Sequence, residues 1–86
     1  MLAPAEGTQY YQADQAIRTT EDLHRVVHDM GQVAHDRYGQ GGGSQQEVYK
    51  AEVEITRLSA EIVRLEARRR SADARLNALL ARPTRL

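Results

Sequence analysis

The second half of the chain carries a heptad repeat, and this repeat limits the possible folds more than any other feature. Alternate steps of three and four residues meet ten positions there, nine of them apolar: Val48, Ala51, Ile55, Leu58, Ile62, Leu65, Arg69, Ala72, Leu76 and Leu79. Apolar residues at this spacing form one stripe along an α-helix and pack against a partner helix. The exception, Arg69, is expected to form a polar layer in the interface or to meet an acid of the first half.

The first half has a weaker repeat of the same kind. Its predicted interface positions are Ala13, Ala16, Thr20, Leu23, Val27, Met30, Ala34 and Arg37, flanked by Ile17, Val26, Val33 and Tyr38. Gly31 interrupts this helix at a cost of about 1 kcal/mol relative to alanine. Charge pairs four residues apart, such as Asp14 with Arg18, support the helical period. The segment TTED at 19–22 is an alternative helix start that would divide the first helix.

Four glycines, Gly39, Gly41, Gly42 and Gly43, separate the two halves. Ser44 and Glu47 follow them with the spacing of a capping box, which predicts that the second helix starts here. We predict a tail at 1–7, a first helix at 8–38, a tip turn at 39–44, a second helix at 45–82 and a tail at 83–86. Two rods of similar length joined by a short turn fold back on each other. The predicted fold class is therefore all-α, a long antiparallel two-helix coiled-coil hairpin.

A second stripe of small residues runs along the second helix, away from its heptad interface: Val53, Ala60, Ala67, Ala74 and Ala81. One interpretation is that alanine is simply the best helix former. The other is a further interface for neighbouring helices, which predicts that the hairpin oligomerises as part of an α-barrel or of a helical bundle.

Composition excludes several functional classes. The chain of 86 residues has no cysteine, so disulfides, thiolate metal sites and cysteine nucleophiles are absent. Its formal net charge is zero, which gives no basis for bulk attraction to nucleic acid. The first residues have neither the basic start nor the apolar core of a signal peptide, and no apolar run is long enough to cross a membrane. No catalytic constellation is found, so we expect no enzyme activity and no cofactor.

Three histidines are weak candidates for a metal site. His24, His28 and His35 lie within about 40° of one another on a helix that advances about 100° per residue. Because the second half contains no histidine, a third or fourth ligand would have to be a carboxylate. We therefore expect these histidines to be solvated or to flank the helix interface, and we predict no metal site.

The turn and the second helix resemble one protein family. Arg37, Tyr38, Gly41, Ser44, Glu47, Val48 and Ala51, followed by the run VEITRLSAEIVRLEARRRSADARLNALLARP, are similar to the TolC family of outer-membrane efflux channels, in its heavy-metal and multidrug export branch. The resemblance extends from about Tyr10 to Pro83. It implies that this sequence corresponds to one hairpin of the periplasmic α-barrel of such a channel. The β-strands and the second repeat of the family are not in this sequence.

The resemblance also implies a function and partners. The glycine turn would lie at the periplasmic tip, where Arg37, Tyr38, Gly41 and Ser44 would dock the periplasmic adaptor, or membrane fusion, protein of a tripartite export system. Neighbouring hairpins of the same channel would be the other partners, and the location would be the periplasmic part of an outer-membrane protein. No contact with nucleic acid and no membrane insertion by this segment are expected. The alternative is a stand-alone coiled-coil hairpin that self-associates as an oligomerisation or interaction module.

Overall fold

A computed structural model describes residues 3–81, with side chains from residue 7 onward, and contains two long helices. Helix α1 spans Ala3–Gly39, and helix α2 spans Gln45–Leu80. They lie side by side in opposite directions and contact each other along their length. The all-α helical hairpin expected from the sequence is confirmed. At about 1.5 Å per residue each helix is about 55 Å long.

The helix ends differ from the predicted boundaries at both termini. Helix α1 begins at Ala3, so most of the predicted tail at 1–7 is helical. Pro4 is compatible with this start. Proline lacks a backbone N–H, and the N–H groups in the first turn of a helix have no acceptor within the helix. Helix α2 ends at Leu80, and Ala81 caps it by donating its N–H to the Asn77 carbonyl at 2.8 Å. The predicted tail at 83–86 lies outside the described residues.

Helix α1 is continuous through the TTED segment, so the alternative division of the first helix is wrong. Thr20, inside that segment, donates its hydroxyl hydrogen to the Ala16 carbonyl at 2.7 Å. This bond to the carbonyl four residues earlier satisfies the threonine within the helix and leaves no role for it as a cap.

The interface side of α2 follows its heptad repeat. Leu58, Leu65 and Ala72 are buried, and all other repeat positions from Val48 to Leu76 are half-buried. Leu79, near the open end of the hairpin, is exposed. The repeat in the second half therefore predicts which side of α2 packs against α1.

The interface side of α1 differs from the prediction by part of a turn. Leu23, Met30 and Arg37 were expected in the interface but are exposed, Met30 by 64%. The stripe of α1 that faces α2 consists of residues that are all buried or half-buried: Tyr10, Ala13, Ile17, Thr20, His24, Val27, Gly31 and Ala34. Asp14 and Ala16, beside this stripe, are half-buried as well. The residues of the stripe also alternate steps of three and four. Helix α1 thus contains two heptad stripes that share Ala13, Thr20, Val27 and Ala34, and the less apolar one faces α2.

Close approach and polar pairs explain this choice of stripe. A Cβ atom placed on Gly31 would lie only 3.2 Å from the Ala51 Cβ, so the helices approach each other closely at this glycine. His24 Nε2 lies 3.2 Å from the Ser59 hydroxyl, which gives this half-buried histidine a hydrogen-bond partner on α2. Leu58 and Leu65 of α2 are buried in the interface that results, with 3% and 5% exposure. Packing volume and hydrogen bonding therefore outweigh the apolar character of Leu23 and Met30.

Arg69 meets an acid of the first helix, as one of its two predicted roles requires. Its Nη1 donates to Asp14 Oδ1 at 2.8 Å, and Arg18 Nε donates to the other oxygen of the same carboxylate at 3.1 Å. The hydrogen bond from Arg18 and then that from Arg69 lower the pKa of Asp14 below its ordinary value. The pair joins the helices near the open end of the hairpin and selects their register.

We expect this carboxylate to contribute to the acid sensitivity of the hairpin. Because the pKa of Asp14 is lower in the folded state, its stabilising effect is present above the unfolded pKa and is lost as the pH falls through the folded pKa. Asp14→Asn should therefore unfold at a lower urea concentration than wild type at pH 7, and the difference should shrink below about pH 4. Urea unfolding by circular dichroism at both pH values measures this. A difference that is constant with pH would contradict it.

Within residues 3–81, neither helix contains an 18-residue stretch apolar enough to cross a bilayer.

Candidate interaction site at the hairpin tip

The tip begins with a Schellman motif that ends α1. Gly42 donates its N–H to the Arg37 carbonyl at 2.8 Å, and Gly41 donates to the Tyr38 carbonyl at 3.1 Å. Gly41 has φ +87°, the left-handed conformation that this motif requires and that glycine adopts at low cost. The carbonyls of Asp36, Arg37 and Tyr38 therefore have partners within the turn, which gives the tip a defined conformation.

Gly43 and Ser44 connect this turn to α2. Gly43 also has positive φ, +72°, whereas Ser44 is extended. The Ser44 hydroxyl accepts from the Glu47 N–H at 3.2 Å, and Glu47 Oε1 accepts from the Ser44 N–H at 3.1 Å. Two otherwise unpaired N–H groups at the start of α2 are thereby satisfied by this capping box.

Contact with Arg37 accounts for a further requirement for glycine. Cβ atoms on Gly42 and Gly43 would each lie 3.3 Å from the aliphatic stem of Arg37, which crosses the turn. The consecutive glycines thus let the arginine lie flat over the tip. Gly39 has no such constraint, because its φ is not positive and a Cβ there would meet nothing within 4 Å.

The four residues expected to bind the adaptor lie together at this tip. Arg37 and Tyr38 are exposed in the last turn of α1, Gly41 is in the turn, and Ser44 precedes α2. Tyr38 is 47% exposed, which makes it a large apolar surface at the end of the rod. The Ser44 hydroxyl is already used by the cap, so the contact surface at the tip consists mainly of Arg37, Tyr38 and glycine backbone.

The three histidines lie on α1 but have different surroundings. His24 faces α2 and contacts Ser59, whereas His28 and His35 are exposed and each lies near the aspartate that follows it. Among the described residues, no group of three or more histidine, aspartate and glutamate side chains is placed to hold a metal ion.

Sequence reasoning missed a groove on one face of the hairpin. Near the tip it has a volume of about 550 Å³, with Met30 and Val33 of α1 on one side and Glu47, Lys50 and Glu54 of α2 on the other. Towards the open end a second cavity of about 720 Å³ lies on the same face, between Ala16 on α1 and Arg68 on α2. The groove was missed because Met30 and Leu23 were assigned to the helix interface.

Both helices carry exposed apolar residues outside their mutual interface. On α1 these are Leu23, Val26, Met30 and Val33, of which Met30 and Val33 line the groove near the tip. On α2 an outer stripe of exposed residues consists of Tyr49, Val53, Thr56, Ala60, Val63 and Ala67, the last of which also borders the cavity towards the open end. Both sets alternate steps of three and four residues, the spacing of a helix-packing surface.

Comparison with models of protein families, with curated proteins and with solved structures finds no match to this chain.

Proposed function

We propose that this hairpin is a segment of the periplasmic α-barrel of a TolC-like outer-membrane efflux channel, and that its tip docks a periplasmic adaptor protein in a tripartite export system. The main support is the tip itself, a hydrogen-bonded glycine turn that presents Arg37 and Tyr38 at the end of a rod about 55 Å long. A conformation fixed before binding lowers the entropic cost of docking. In this role the chain works by helix packing, without chemistry of its own.

Its narrow tip fits a helical partner better than a small ligand. The glycines leave the backbone of the turn uncovered by side chains, and Gly39 faces open space. A partner helix could therefore approach the backbone closely while its side chains contact Tyr38 and the Arg37 guanidinium. Aromatic and arginine side chains are also the residues that most often dominate binding energy at protein interfaces.

The exposed stripes support the barrel part of the proposal. A hairpin that formed its whole structure alone would have no use for a second apolar stripe on each helix. Leu23, Val26 and Met30 on α1, together with Val53 and Val63 on α2, are each exposed by 47% or more. Exposed apolar patches of this kind are typical of surfaces that other protein elements cover.

Substitution at Gly39 tests the docking function, because it adds a side chain to the tip without a clash or backbone strain. Gly39→Gln should weaken binding of a purified adaptor by about tenfold or more, since one central residue can dominate an interface. Gly7→Gln is the matched control, because Gly7 also faces open space but lies at the other end of the rod. NMR titration of the labelled hairpin detects weak binding and shows which residues the adaptor contacts.

The titration distinguishes the outcomes. Chemical-shift changes confined to about residues 36–47, weakened by Gly39→Gln and unaffected by Gly7→Gln, would support docking at the tip. If a panel of adaptor proteins causes no shift changes at millimolar concentration, or if both substitutions act alike, the proposal is wrong. Circular dichroism of each variant excludes loss of the helices as the cause.

A stand-alone self-associating coiled-coil hairpin is the second candidate function, and the exposed stripe of α1 favours it. In that case Leu23, Val26, Met30 and Val33 would complete a helical bundle formed from copies of this chain alone. Such a module would associate independently of adaptor proteins and of the tip. Gly39→Gln should then leave its association state unchanged.

A further inference from the structure

We propose that the groove on one face of this hairpin binds the outer stripe of α2 from a second copy of the chain, with both tips pointing in the same direction. This inference rests on the proposed function, in which the hairpin packs against neighbouring hairpins, and it identifies which surfaces of two copies meet. Three observations support it: the sizes of the apolar side chains on the two surfaces, the charged rows beside them, and the positions of facing residues along the helices.

Apolar surfaces of different size meet in this arrangement. The α1 side of this face presents large side chains: Met30 lines the groove and is 64% exposed, and Leu23, two turns away along the same stripe, is 47% exposed. The outer stripe of α2 combines the small residues Thr56, Ala60 and Ala67 with Tyr49, Val53 and Val63. Small residues allow a helix to approach closely, and the larger side chains of the groove then fill the space around them.

Charged rows border both surfaces. On the α2 side, Glu47 and Glu54 line the groove, and Glu61 follows at the same spacing of seven, which makes an acidic row along the tip half of the hairpin. The next two positions of this row, Arg68 and Arg75, are basic. The outer stripe of α2 is bordered on one side by a basic row, Lys50, Arg57 and Arg64, with the same spacing. Each acidic residue thus precedes a basic residue by three positions. In the single hairpin, Arg57 and Arg64 pair with Glu54 and Glu61 of their own helix.

These rows select the orientation of the second copy. With both tips in the same direction, the right-handedness of the helix places the basic row of the second copy beside the acidic row of the first. With the tips at the same level, each acid lies about 4.5 Å along the axis from a basic residue of the second copy, at about 1.5 Å per residue. The opposite orientation would place Glu52 and Glu66, on the other border of the stripe, against the acidic row.

The positions of facing residues also support an arrangement in which the tips of the two copies lie at the same level. Across the hairpin Asp14 faces Arg69, His24 faces Ser59, and Gly31 faces Ala51, so the numbers of facing residues add up to 82 or 83. With tips level, the same relation places Leu23 opposite Ala60 and Met30 opposite Val53 of the second copy. A shift by one heptad would leave one of the three charge pairs without a partner.

A closed dimer formed by two grooves face to face is disfavoured. It would leave the outer stripe of α2 uncovered, including Val53 and Val63, which are exposed by 47% and 62%. Groove-to-stripe binding uses different surfaces on the two copies, and it is therefore heterologous. Such a contact leaves a free groove at one end and a free stripe at the other, so association continues until a ring closes.

Two charge-reversed variants test the contact. Glu54→Lys/Glu61→Lys has basic residues in both rows, and Arg57→Glu/Arg64→Glu has acidic residues in both. Each alone should self-associate at least about tenfold more weakly than wild type at low salt, because several ion pairs become repulsive. An equimolar mixture should recover association to within about threefold, because each variant then meets a partner of opposite charge. Analytical ultracentrifugation over a concentration series measures both effects.

Arg25→Glu is the control. Arg25 is exposed and pairs with Asp22 of its own helix, as Arg57 and Arg64 pair with acids of theirs. It lies about 140° around α1 from Met30, at about 100° per residue, and so away from the groove. This variant should associate like wild type. Helical content by circular dichroism verifies that every variant folds.

Disulfide trapping tests the same contact without changing any charged residue. Only the introduced cysteines can form disulfides, because the chain has no cysteine of its own. Mild oxidation of Met30→Cys/Val53→Cys should yield a ladder of linked chains, whereas Met30→Cys/Ser59→Cys should not. The proposal is overturned if wild type is a monomer at millimolar concentration or a closed dimer, or if mixing the reversed variants restores nothing. Loss of adaptor binding in Gly39→Gln leaves these results unchanged, so the tests of docking and of assembly are separate.

Discussion

Leu65→Ala is expected to lower the free energy of unfolding of the hairpin by about 2–5 kcal/mol, the range for removing a buried leucine side chain. Leu65 is 5% exposed and lies on the side of α2 that packs against α1. The interface is one side chain deep, so few neighbouring residues can move into the space that alanine leaves. A loss of this size is a large fraction of the stability of a small protein, which is commonly about 5–15 kcal/mol.

Val63→Ala is the control for this experiment, since Val63 is two residues away on the same helix but 62% exposed. At concentrations where the chain is monomeric, it should change the unfolding free energy by no more than about 0.5 kcal/mol. Urea unfolding followed by circular dichroism measures both variants. Equal losses for the two variants would mean that the assigned interface of α2 is wrong.

The second large effect is expected at Gly31, where the two helices approach most closely among the glycines of the hairpin. Gly31→Leu places a branched side chain against Ala51 and Ile55, and overpacking of this kind costs about 1–3 kcal/mol. Leucine also favours the helix by nearly 1 kcal/mol relative to glycine, which offsets part of the loss. Thermal unfolding should show a lower midpoint for this variant.

Two further variants separate the clash from the helix preference. Gly7→Leu should stabilise the protein or leave it unchanged, because a Cβ there meets nothing within 4 Å. Ala51→Gly combined with Gly31→Leu should recover part of the lost stability, since it removes the nearest contacting atom. If Gly31→Leu is as stable as Gly7→Leu, the close approach at Gly31 does not exist in solution.

The tip shows how far local sequence rules reach. The spacing of Ser44 and Glu47 predicts the start of α2 because both cap hydrogen bonds form within one turn of chain. The need for positive φ at a helix end also predicts that some of the four glycines are obligatory. Only the structure explains why residue 42 is glycine. A side chain there would meet the side-chain stem of Arg37, five residues earlier.

The groove could not be found from the repeat of α1 alone. Two heptad stripes share four residues of this helix, and the choice between them depends on which one α2 covers. Rules based on hydrophobicity favour Leu23 and Met30, whereas the structure places His24 and Gly31 against α2. A polar residue such as His24 is acceptable in the interface only because Ser59 lies opposite, and this pairing joins residues 35 positions apart.

The sequence by itself determined the helical hairpin, the start of α2 and the face of α2 that packs inward. Each depends on contacts between residues at most a few helical turns apart, or on a single unambiguous apolar stripe. The tertiary structure decided which stripe of α1 faces α2, and therefore which apolar residues remain exposed for partners. The physical reason is that packing volume and cross-helix hydrogen bonds at Gly31, His24 and Asp14 depend on both helices at once.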